Sequence, residues 1–230
     1  MCGRFTLTES DPGVVAARFR VSPDSLFSEG LGRYNAAPGQ EILTVSPEGD
    51  GRSTCSLARW GLVPGWADDL KTGYRMINAR AEGLETSRAY GPLFRKAEGR
   101  CVIPADGFYE WLDPARSGGP KRPVRFTVDE GQLFGLAGLV TEREWEGGTL
   151  RSCTIITTEA DEAVAPVHDR MPVILADPAA EEAWLDEDTE TGALADLLRP
   201  LDSDRVSSRL ANPALNRVGA VPEGPDLLDV

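Results

Sequence analysis

The apolar residues of this 230-residue chain fall mainly into short runs rich in β-branched and aromatic side chains, a pattern typical of strands. Two segments instead place a capping aspartate before a proline, Asp11-Pro12 and Asp177-Pro178, and predict helices that begin there. The first helix is expected to run to about residue 20, and a third to cover residues 193–198. The predicted strands cover residues 42–45, 54–60, 100–103, 124–128, 132–139 and 151–157.

The order of these elements favours a single α+β domain over residues 1–230, because strands dominate and the helices do not alternate with them in βαβ units. Asp129-Glu130-Gly131 separates two predicted strands and predicts a hairpin connection between them. Residues 114–123 are rich in Gly, Pro and basic side chains, which predicts an exposed loop. No stretch is long enough to act as a linker between two domains.

Composition and charge restrict the classes to which the protein can belong. Hydrophobic residues make up 41% and charged residues 27% of the sequence, as in ordinary globular proteins. No apolar run approaches the roughly 20 residues of a membrane span, and there is no basic-then-apolar leader, so we expect a cytoplasmic protein without membrane contact. The net charge of −13 argues against indiscriminate nucleic-acid binding. Four scattered cysteines and a single histidine predict no metal site.

Cys2 is the residue with the most unusual potential chemistry. Met1 precedes this small side chain, so an initiator-methionine peptidase is expected to remove Met1 and leave Cys2 with a free α-amino group. The amine of such a 1,2-aminothiol condenses with an aldehyde, and the thiol then closes on the same carbon to give a thiazolidine ring. With pKa values of about 7.7–8.0 for the amine and about 8.5 for the thiol, both groups are partly nucleophilic near neutral pH.

Three other segments hold polar residues that suit catalysis. Asn78 and Arg80 alternate along an extended segment, so their side chains are expected on one face. Glu110 lies among three aromatic residues, where burial would raise its pKa and make it a general acid near neutral pH. His168 is the one histidine of the chain. Each has a simpler interpretation: a turn amide, an arginine paired with an acid, an edge-strand carboxylate and a local hydrogen-bonding imidazole, respectively.

Six segments combine Gly, Pro, Arg and aromatic residues in an uncommon way. They are Met1-Cys2-Gly3-Arg4-Phe5, Arg33-Tyr34-Asn35-Ala36-Ala37-Pro38-Gly39, Arg59-Trp60-Gly61-Leu62-Val63-Pro64-Gly65-Trp66, Ile77-Asn78-Ala79-Arg80-Ala81-Glu82, Pro104-Ala105-Asp106-Gly107-Phe108-Tyr109-Glu110-Trp111 and His168-Asp169-Arg170-Met171-Pro172. In this order they resemble the motifs of the SRAP (SOS-response-associated peptidase) family. The resemblance is strongest over residues 2–185 and only loose over residues 207–216, to which we assign no role.

The resemblance implies a largely antiparallel, barrel-like core flanked by short helices, in a protein that senses abasic sites in single-stranded DNA and cross-links to them. It implies that Cys2 attacks the C1′ aldehyde of the ring-opened sugar, and that Glu110 assists ring opening and proton transfer. It implies that His168 assists proton transfer and reversal of the cross-link, and that Asn78 positions the N-terminal residue and the sugar. Aminothiol–aldehyde chemistry needs no metal and no organic cofactor.

DNA contacts are expected from a minority of basic residues and from apolar side chains that meet unstacked bases. The basic candidates carry guanidinium groups, which pair well with phosphates. A tryptophan and a proline offer stacking or wedge surfaces. Trp60, in contrast, is expected to pack in the core. The candidate DNA-binding residues are Arg4, Arg80, Arg88, Arg59, Arg170, Trp66 and Pro38.

Two other functions remain open at this point. Class II glutamine amidotransferases also begin Met-Cys-Gly and use the freed α-amine as a base, but their downstream Asn-Gly motif is not found in a matching context. A non-catalytic binder of single-stranded DNA would need the arginines and Trp66 but not Cys2. Self-cleavage that exposes Cys2 is an additional activity that the family's name suggests. The expected partner is single-stranded DNA with abasic sites, bound by a monomer; the sequence identifies no protein partner.

Overall fold

A computed structural model describes residues 2–25, 28–49, 52–117, 119–217 and 222–229; Met1, with its predicted removal, lies outside this range. The strands are β1 (Phe5–Leu7), β2 (Arg33–Ala36), β3 (Glu41–Gly49), β4 (Arg52–Trp60), β5 (Asn78–Arg80), β6 (Arg100–Ala105), β7 (Gly107–Leu112), β8 (Arg122–Val128), β9 (Phe134–Trp145), β10 (Gly148–Glu159), β11 (Arg170–Pro172), β12 (Ile174–Leu175) and β13 (Val206–Leu210). The α-helices are α1 (Pro12–Phe19), α2 (Gly91–Phe94), α3 (Pro114–Ser117), α4 (Pro178–Leu185) and α5 (Thr191–Asp196).

Five strands close into a barrel. β3 pairs with β4 and β6, β6 pairs with β9, and β9 pairs with β10, in each case antiparallel. β10 then pairs with β4 in parallel, which completes the ring. β5, β11 and β12 extend this sheet beside β10 and β9. The prediction of an α+β domain with a largely antiparallel, barrel-like core and short helices is therefore confirmed.

A second sheet lies outside the barrel and consists of five antiparallel strands in the order β13-β8-β7-β1-β2. Within it, β1 lies between β2 and β7, and Phe5 is opposite Ala36 on one side and Phe108 on the other. Of these five strands, the hydrophobic pattern predicts only β8. The other four are short or carry polar side chains, so their sequence alone shows no strong periodicity.

The predicted hairpin at Asp129-Glu130-Gly131 is wrong. β8 pairs with β7 and β13, whereas β9 pairs with β6, β10 and β12. The three linking residues have φ angles of 45°, 60° and 90°, and the chain leaves one sheet and enters the other there. Turn chemistry therefore sets the bend, but burial of the two strands in different sheets selects their partners.

Two of the three predicted helices, α1 and α4, begin where the sequence predicts. Asp11 and Asp177 accept hydrogen bonds from the first backbone N–H groups of α1 and α4 through their side chains. α5 begins two residues before its predicted start. Arg100 is buried and donates to the carbonyl oxygens of Phe94 and Trp184, so it joins α2 and α4 to the barrel. Within the described residues, no helix is both long enough and apolar enough to cross a membrane.

Trp60 packs in the core, as expected. Its side chain is fully buried, and its indole N–H donates to the carbonyl oxygen of Ile77 at 2.9 Å. The ring meets Phe5 edge-on, with 5.4 Å between the ring centroids. Trp60 therefore links β4 of the barrel both to β1 and to the residue that precedes β5.

Asp106 joins β1 to the turn between β6 and β7. Its buried carboxylate accepts hydrogen bonds from the Thr6 hydroxyl and from the Thr8 backbone N–H and hydroxyl. Arg125 on β8 donates to the same carboxylate at 3.1 Å and to the Thr6 hydroxyl at 3.2 Å. Both charged side chains are almost inaccessible to water, so each depends on the other for compensation of its charge.

Asp106→Ala is expected to lower the free energy of unfolding by about 3–5 kcal/mol, because Arg125 would stay buried without a carboxylate partner. Urea unfolding followed by circular dichroism measures this loss. Glu142→Ala is the control, since Glu142 pairs with Arg151 at 3.4 Å nearer the surface, where one ion pair contributes at most about 1 kcal/mol. Equal losses in the two variants would contradict the structural importance of the buried pair.

Candidate active site

Cys2 lies just before β1, at the junction of the two sheets. Its side chain is fully buried in the chain that still carries Met1, and its thiol donates to the Arg4 carbonyl oxygen at 3.8 Å. Its own carbonyl oxygen accepts a hydrogen bond of 2.8 Å from the Asn78 side-chain amide. The backbone of Cys2 is thus held from the second sheet by β1 and from the barrel side by β5.

Glu110 lies on β7, the neighbour of β1. Phe5 is opposite Phe108, and the Tyr109 N–H donates to the Arg4 carbonyl oxygen at 2.9 Å, so the antiparallel register brings Glu110 towards Cys2. Burial raises the pKa of Glu110 above the ordinary glutamate value. Burial also raises the pKa of the Cys2 thiol well above its ordinary range, and the negative charge of Glu110 raises it further. Both groups are therefore biased towards their protonated forms.

His168 precedes β11 and is partly exposed. Its Nδ1 accepts a hydrogen bond of 2.9 Å from the backbone N–H of Arg170 and lies 3.0 Å from a carboxylate oxygen of Asp169. Burial sets the raised pKa of Glu110, and the nearby charge of protonated His168 acts against it.

Asn78 begins β5, which pairs in parallel with β10. Ala79 is buried, so Asn78 and Arg80 project to the other face of the strand, as the alternation predicts. The Asn78 Nδ2 atom donates to Cys2, while its Oδ1 atom is buried and has no hydrogen-bond partner among the described residues. Such an acceptor costs roughly 1–3 kcal/mol unless something binds it, so it is suited to a donor on a ligand or on the α-amine.

The structure thus brings together a thiol, a carboxyl group whose pKa is raised, an imidazole and an amide. They come from four separate parts of the chain: Cys2, Glu110, His168 and Asn78. The set provides a nucleophile, two groups that transfer protons and a positioning group, which is what aldehyde capture requires. Their catalytic roles remain predictions.

Arg4 lies two residues after Cys2, and its side chain lines a cavity of about 490 Å³. Its guanidinium donates to the Asn35 side chain at 2.7 Å and to the Leu215 carbonyl oxygen at 3.4 Å, and lies 5.7 Å from the centre of the Trp111 ring. These contacts hold one side of the guanidinium while the other lines the cavity. The lining residues are Gly3, Arg4, Trp111, Lys121, Leu215 and Asn216.

Other predicted DNA-binding residues differ in their exposure. Arg80 and Arg88 are exposed, Trp66 is 64% exposed, and Pro38 is partly exposed.

The remaining two arginines are engaged within the protein. Arg170 binds the Glu82 carboxylate at 2.6 and 2.8 Å and the Thr157 carbonyl oxygen at 2.6 Å. Arg59 donates to the Gly39 carbonyl oxygen at 2.7 Å. DNA contact by any of the seven candidates remains a prediction.

Sequence reasoning missed several residues at this site. Asn35 lies within a segment that resembles the family, and Trp111 directly follows Glu110, so both carried a signal that was not used. Asn216 accepts from the Trp111 indole N–H at 2.7 Å and donates to the Lys121 carbonyl oxygen at 3.1 Å. Leu215 and Asn216, at the end of the stretch 207–216 that received no role from sequence, therefore form part of the cavity wall.

Glu110→Gln is expected to be more stable than the wild type at pH 7. Because the folded-state pKa of Glu110 is raised, the folded protein binds this proton more tightly, and stability falls as pH rises from about 4.3 through the folded-state pKa. Glutamine cannot ionise, so the variant does not lose this stability. The difference in the free energy of unfolding between the variant and the wild type should therefore vanish below about pH 4. Urea unfolding across this pH range measures it.

Glu82→Gln is the control, because its effect on the free energy of unfolding at pH 7 should have the opposite sign. The hydrogen bonds from Arg170 lower the pKa of Glu82, so its contribution to stability is present above the unfolded-state pKa and is lost as pH falls. This variant should be less stable than the wild type at pH 7 and equal to it in acid. A Glu110→Gln curve parallel to that of the wild type at every pH would contradict the raised pKa.

Known proteins are similar to this chain in sequence and in fold. Residues 1–218 match the family model described as SOS response associated peptidase (SRAP). Abasic site processing protein YoqW of Bacillus subtilis is 43% identical over 231 residues, covering 94% of this chain and 96% of that protein. Abasic site processing protein YedK of Escherichia coli is 33% identical over 187 residues, covering 80% of this chain and 79% of that protein.

The fold itself is shared with a crystal structure of a protein from Bacteroides thetaiotaomicron. The two superpose with a TM-score of 0.83 at 21% sequence identity, over 99% of this chain and 98% of the other. The ordered motifs, the match of the family model and the identity with its members agree: this chain belongs to the SRAP family.

Proposed function

We propose that this protein captures abasic sites in single-stranded DNA as a covalent thiazolidine formed by Cys2, once removal of Met1 frees its α-amine. One observation carries the proposal: the Asn78 amide holds the Cys2 backbone at 2.8 Å beside Glu110, a carboxyl group whose pKa burial raises. The relatives YoqW and YedK are both named abasic site processing proteins, which supports the lesion as the target.

The proposed reaction has two stages. The Cys2 amine adds to the C1′ aldehyde of the ring-opened sugar, and the resulting carbinolamine loses water to give an imine. The thiol then forms an S–C bond to the carbon of this imine, which is protonated on nitrogen, and gives up its own proton to a protein base, so the ring nitrogen keeps the proton that it already carries. One water molecule is lost overall, and no oxidant or reductant is needed.

Glu110 and His168 supply the proton transfers. A protonated Glu110 donates to the departing hydroxyl group of the carbinolamine, which leaves a carboxylate. That carboxylate, or the imidazole of His168, then takes the proton of the Cys2 thiol, whose raised pKa keeps it protonated until ring closure. Asn78 Oδ1 is available to accept from the amine or from a sugar hydroxyl.

The DNA backbone is proposed to follow the basic residues around this pocket. Arg4 and Lys121 line the same cavity and present two positive charges to a phosphate. Arg80 and Arg88 extend the positive surface, and Trp66 with Pro38 contacts bases beside the lesion. Arg59 and Arg170 support this surface. Because each contact between a cation and a phosphate releases counterions from the DNA, binding should weaken as salt increases.

The same groups suit two further activities. A thiol next to the Met1–Cys2 bond, together with a carboxylic acid, is what self-removal of Met1 would use. An imine at C1′ also labilises the adjacent 3′ phosphate, so strand cleavage would accompany an imine that did not close. Thiazolidine formation by the buried thiol limits this cleavage. We propose a monomer that acts in the cytoplasm.

Cys2→Ala should abolish the borohydride-resistant covalent adduct and retain non-covalent DNA binding. The measurement is intact-mass spectrometry of the protein mixed with a single-stranded oligonucleotide that contains one abasic site. The wild type should give a species that lacks Met1 and gains the oligonucleotide mass less one water. Its resistance to borohydride should match that of a thiazolidine, whereas an open imine would be reduced.

Cys101→Ala is the matched control, because Cys101 is also a buried free thiol but lies inside the barrel. It should leave the adduct unchanged. A wild-type protein that lacks Met1 and gives no adduct at any salt concentration would rule out the proposal and favour glutamine hydrolysis. A borohydride-resistant adduct that persists in Cys2→Ala would assign the chemistry to another residue.

Lys121→Gln should reduce the salt dependence of DNA binding, because one phosphate contact is lost. The slope of log Kd against log salt should fall by about 0.7–1. Arg122→Gln removes the same charge from the next residue, which is exposed on β8 and does not line the cavity. Equal slopes for the two variants would show that Lys121 contributes only general charge.

A further inference from the structure

His168 lies within a loop, the connection between β10 and β11. Glu159 and Arg170 are opposite each other where this connection begins and ends, and the Ala160 N–H donates to the Asp169 carbonyl oxygen at 3.0 Å. Beyond this bond the pairing of the two strands stops. The position of the imidazole therefore depends on how the connection itself is folded.

The connection forms two successive helical turns that end at His168. The Ala165 N–H donates to the Asp161 carbonyl oxygen at 2.9 Å, and the His168 N–H donates to the Val164 carbonyl oxygen at 3.0 Å. Val164 is fully buried in the same hydrophobic cluster as Cys2. The backbone that carries His168 is therefore fixed relative to the site for as long as these turns stay formed.

The Asp161 side chain caps the first of these two turns. Its Oδ1 atom accepts a hydrogen bond of 2.8 Å from the Val164 N–H, three residues along the chain, which is the contact that an N-cap residue makes at the start of a helix. A single turn is costly to form, because several dihedral angles are fixed for each hydrogen bond gained. A cap therefore matters more to this short segment than to a long helix. The Asp161 N–H also donates to the Met171 sulfur at 3.4 Å, which joins the turn to β11.

The two carboxylate oxygens of Asp161 have different environments. Oδ1 makes the cap, whereas Oδ2 is buried and has no hydrogen-bond partner among the described residues. A buried acceptor without a partner lowers stability, so stability alone does not explain this side chain. Asp161→Asn would keep an oxygen in the place of Oδ1, whereas Asp161→Ala would remove the cap.

We propose that Asp161 is a positioning residue for His168, because its cap holds the turns that place the imidazole at the site. The inference rests on the proposed function, since it assumes that His168 transfers a proton during capture. The Arg170 N–H holds the imidazole ring through Nδ1 at 2.9 Å, and the capped turns hold its backbone. A group that transfers a proton must lie within hydrogen-bond reach of the atom that it serves, and a displacement of about 1 Å can lower a rate by about 100-fold.

The test separates the rate of adduct formation from the binding of DNA. The protein is mixed in excess with a single-stranded oligonucleotide that contains one abasic site, and the adduct is followed by denaturing electrophoresis. The dependence of the rate on protein concentration gives a maximal rate and a half-saturating concentration. Asp161→Ala, Asp161→Gly and Asp161→Asn are each measured alone and together with His168→Gln.

Asp177→Ala is the matched control. Asp177 caps α4 through the same kind of bond, from the Ala180 N–H at 3.0 Å. The buried residues Trp184 and Leu185 of α4 belong to the hydrophobic cluster that does not contain Cys2. This variant therefore loses a cap without disturbing the site. Urea unfolding verifies that each variant is folded in the assay, and Asp161→Gly serves if Asp161→Ala is not, because glycine replaces a capping residue at a smaller cost in stability.

Asp161→Ala and Asp161→Gly should lower the maximal rate by about 10- to 100-fold and leave the half-saturating concentration unchanged. Asp161→Asn and Asp177→Ala should react like the wild type. In the presence of His168→Gln, the loss caused by Asp161→Ala should disappear, because no imidazole is left to position.

Four results would overturn the inference. An unchanged maximal rate in the variants without the cap would show that the cap does not affect the chemistry, and an equal loss in Asp177→Ala would indicate a general effect of stability. An equal loss in Asp161→Asn would assign the effect to the charge of the carboxylate. A loss that persists with His168→Gln would mean that Asp161 acts through another residue. Absence of the adduct in the wild type is different, because it would contradict the proposed function and this inference together.

Discussion

The buried carboxylate of Asp106 is the interaction on which the position of the N-terminal residues depends. It binds the hydroxyl groups of Thr6 and Thr8 and the guanidinium of Arg125, and so holds the short strand β1 against β7 and β8. A three-residue strand has few backbone hydrogen bonds of its own. Without this charged anchor, Cys2 would have the mobility of an ordinary chain terminus.

The candidate site forms where the second sheet meets the extension of the barrel. Cys2 and Glu110 come from the second sheet, and Asn78 and His168 come from the extension beside β10 and β11. The hydrogen bond from Asn78 to the Cys2 carbonyl oxygen crosses this boundary. The same packing excludes water, which is why the pKa values of the thiol and of the carboxyl group are both raised. The packing of the second sheet against the extension of the barrel therefore both assembles the candidate site and shifts the pKa values within it.

The sequence predicts the barrel much better than the second sheet. Barrel strands such as β9 and β10 are long and apolar, whereas β1 has three residues and β7 carries Glu110, so local patterns are weak there. The hairpin predicted at Asp129 is wrong for the same reason, because β8 and β9 pair with strands that are distant in sequence. The four proposed catalytic residues were found through motifs, and the structure brings them together. The partners of Arg4 were not found, since Asn35 and Leu215 are 31 and 211 residues away.

The bond from Arg4 to the Leu215 carbonyl oxygen has a consequence for biosynthesis. Arg4 and Leu215 are separated by 211 residues. A ribosome that adds about 5–20 residues per second therefore makes Leu215 roughly 10–40 s after Arg4. During that interval the wall that encloses Arg4 does not exist, and the start of the nascent chain stays open to processing enzymes. Synthesis of Leu215 and closure of the pocket therefore mark the end of a period in which the residues around Cys2 are most easily reached.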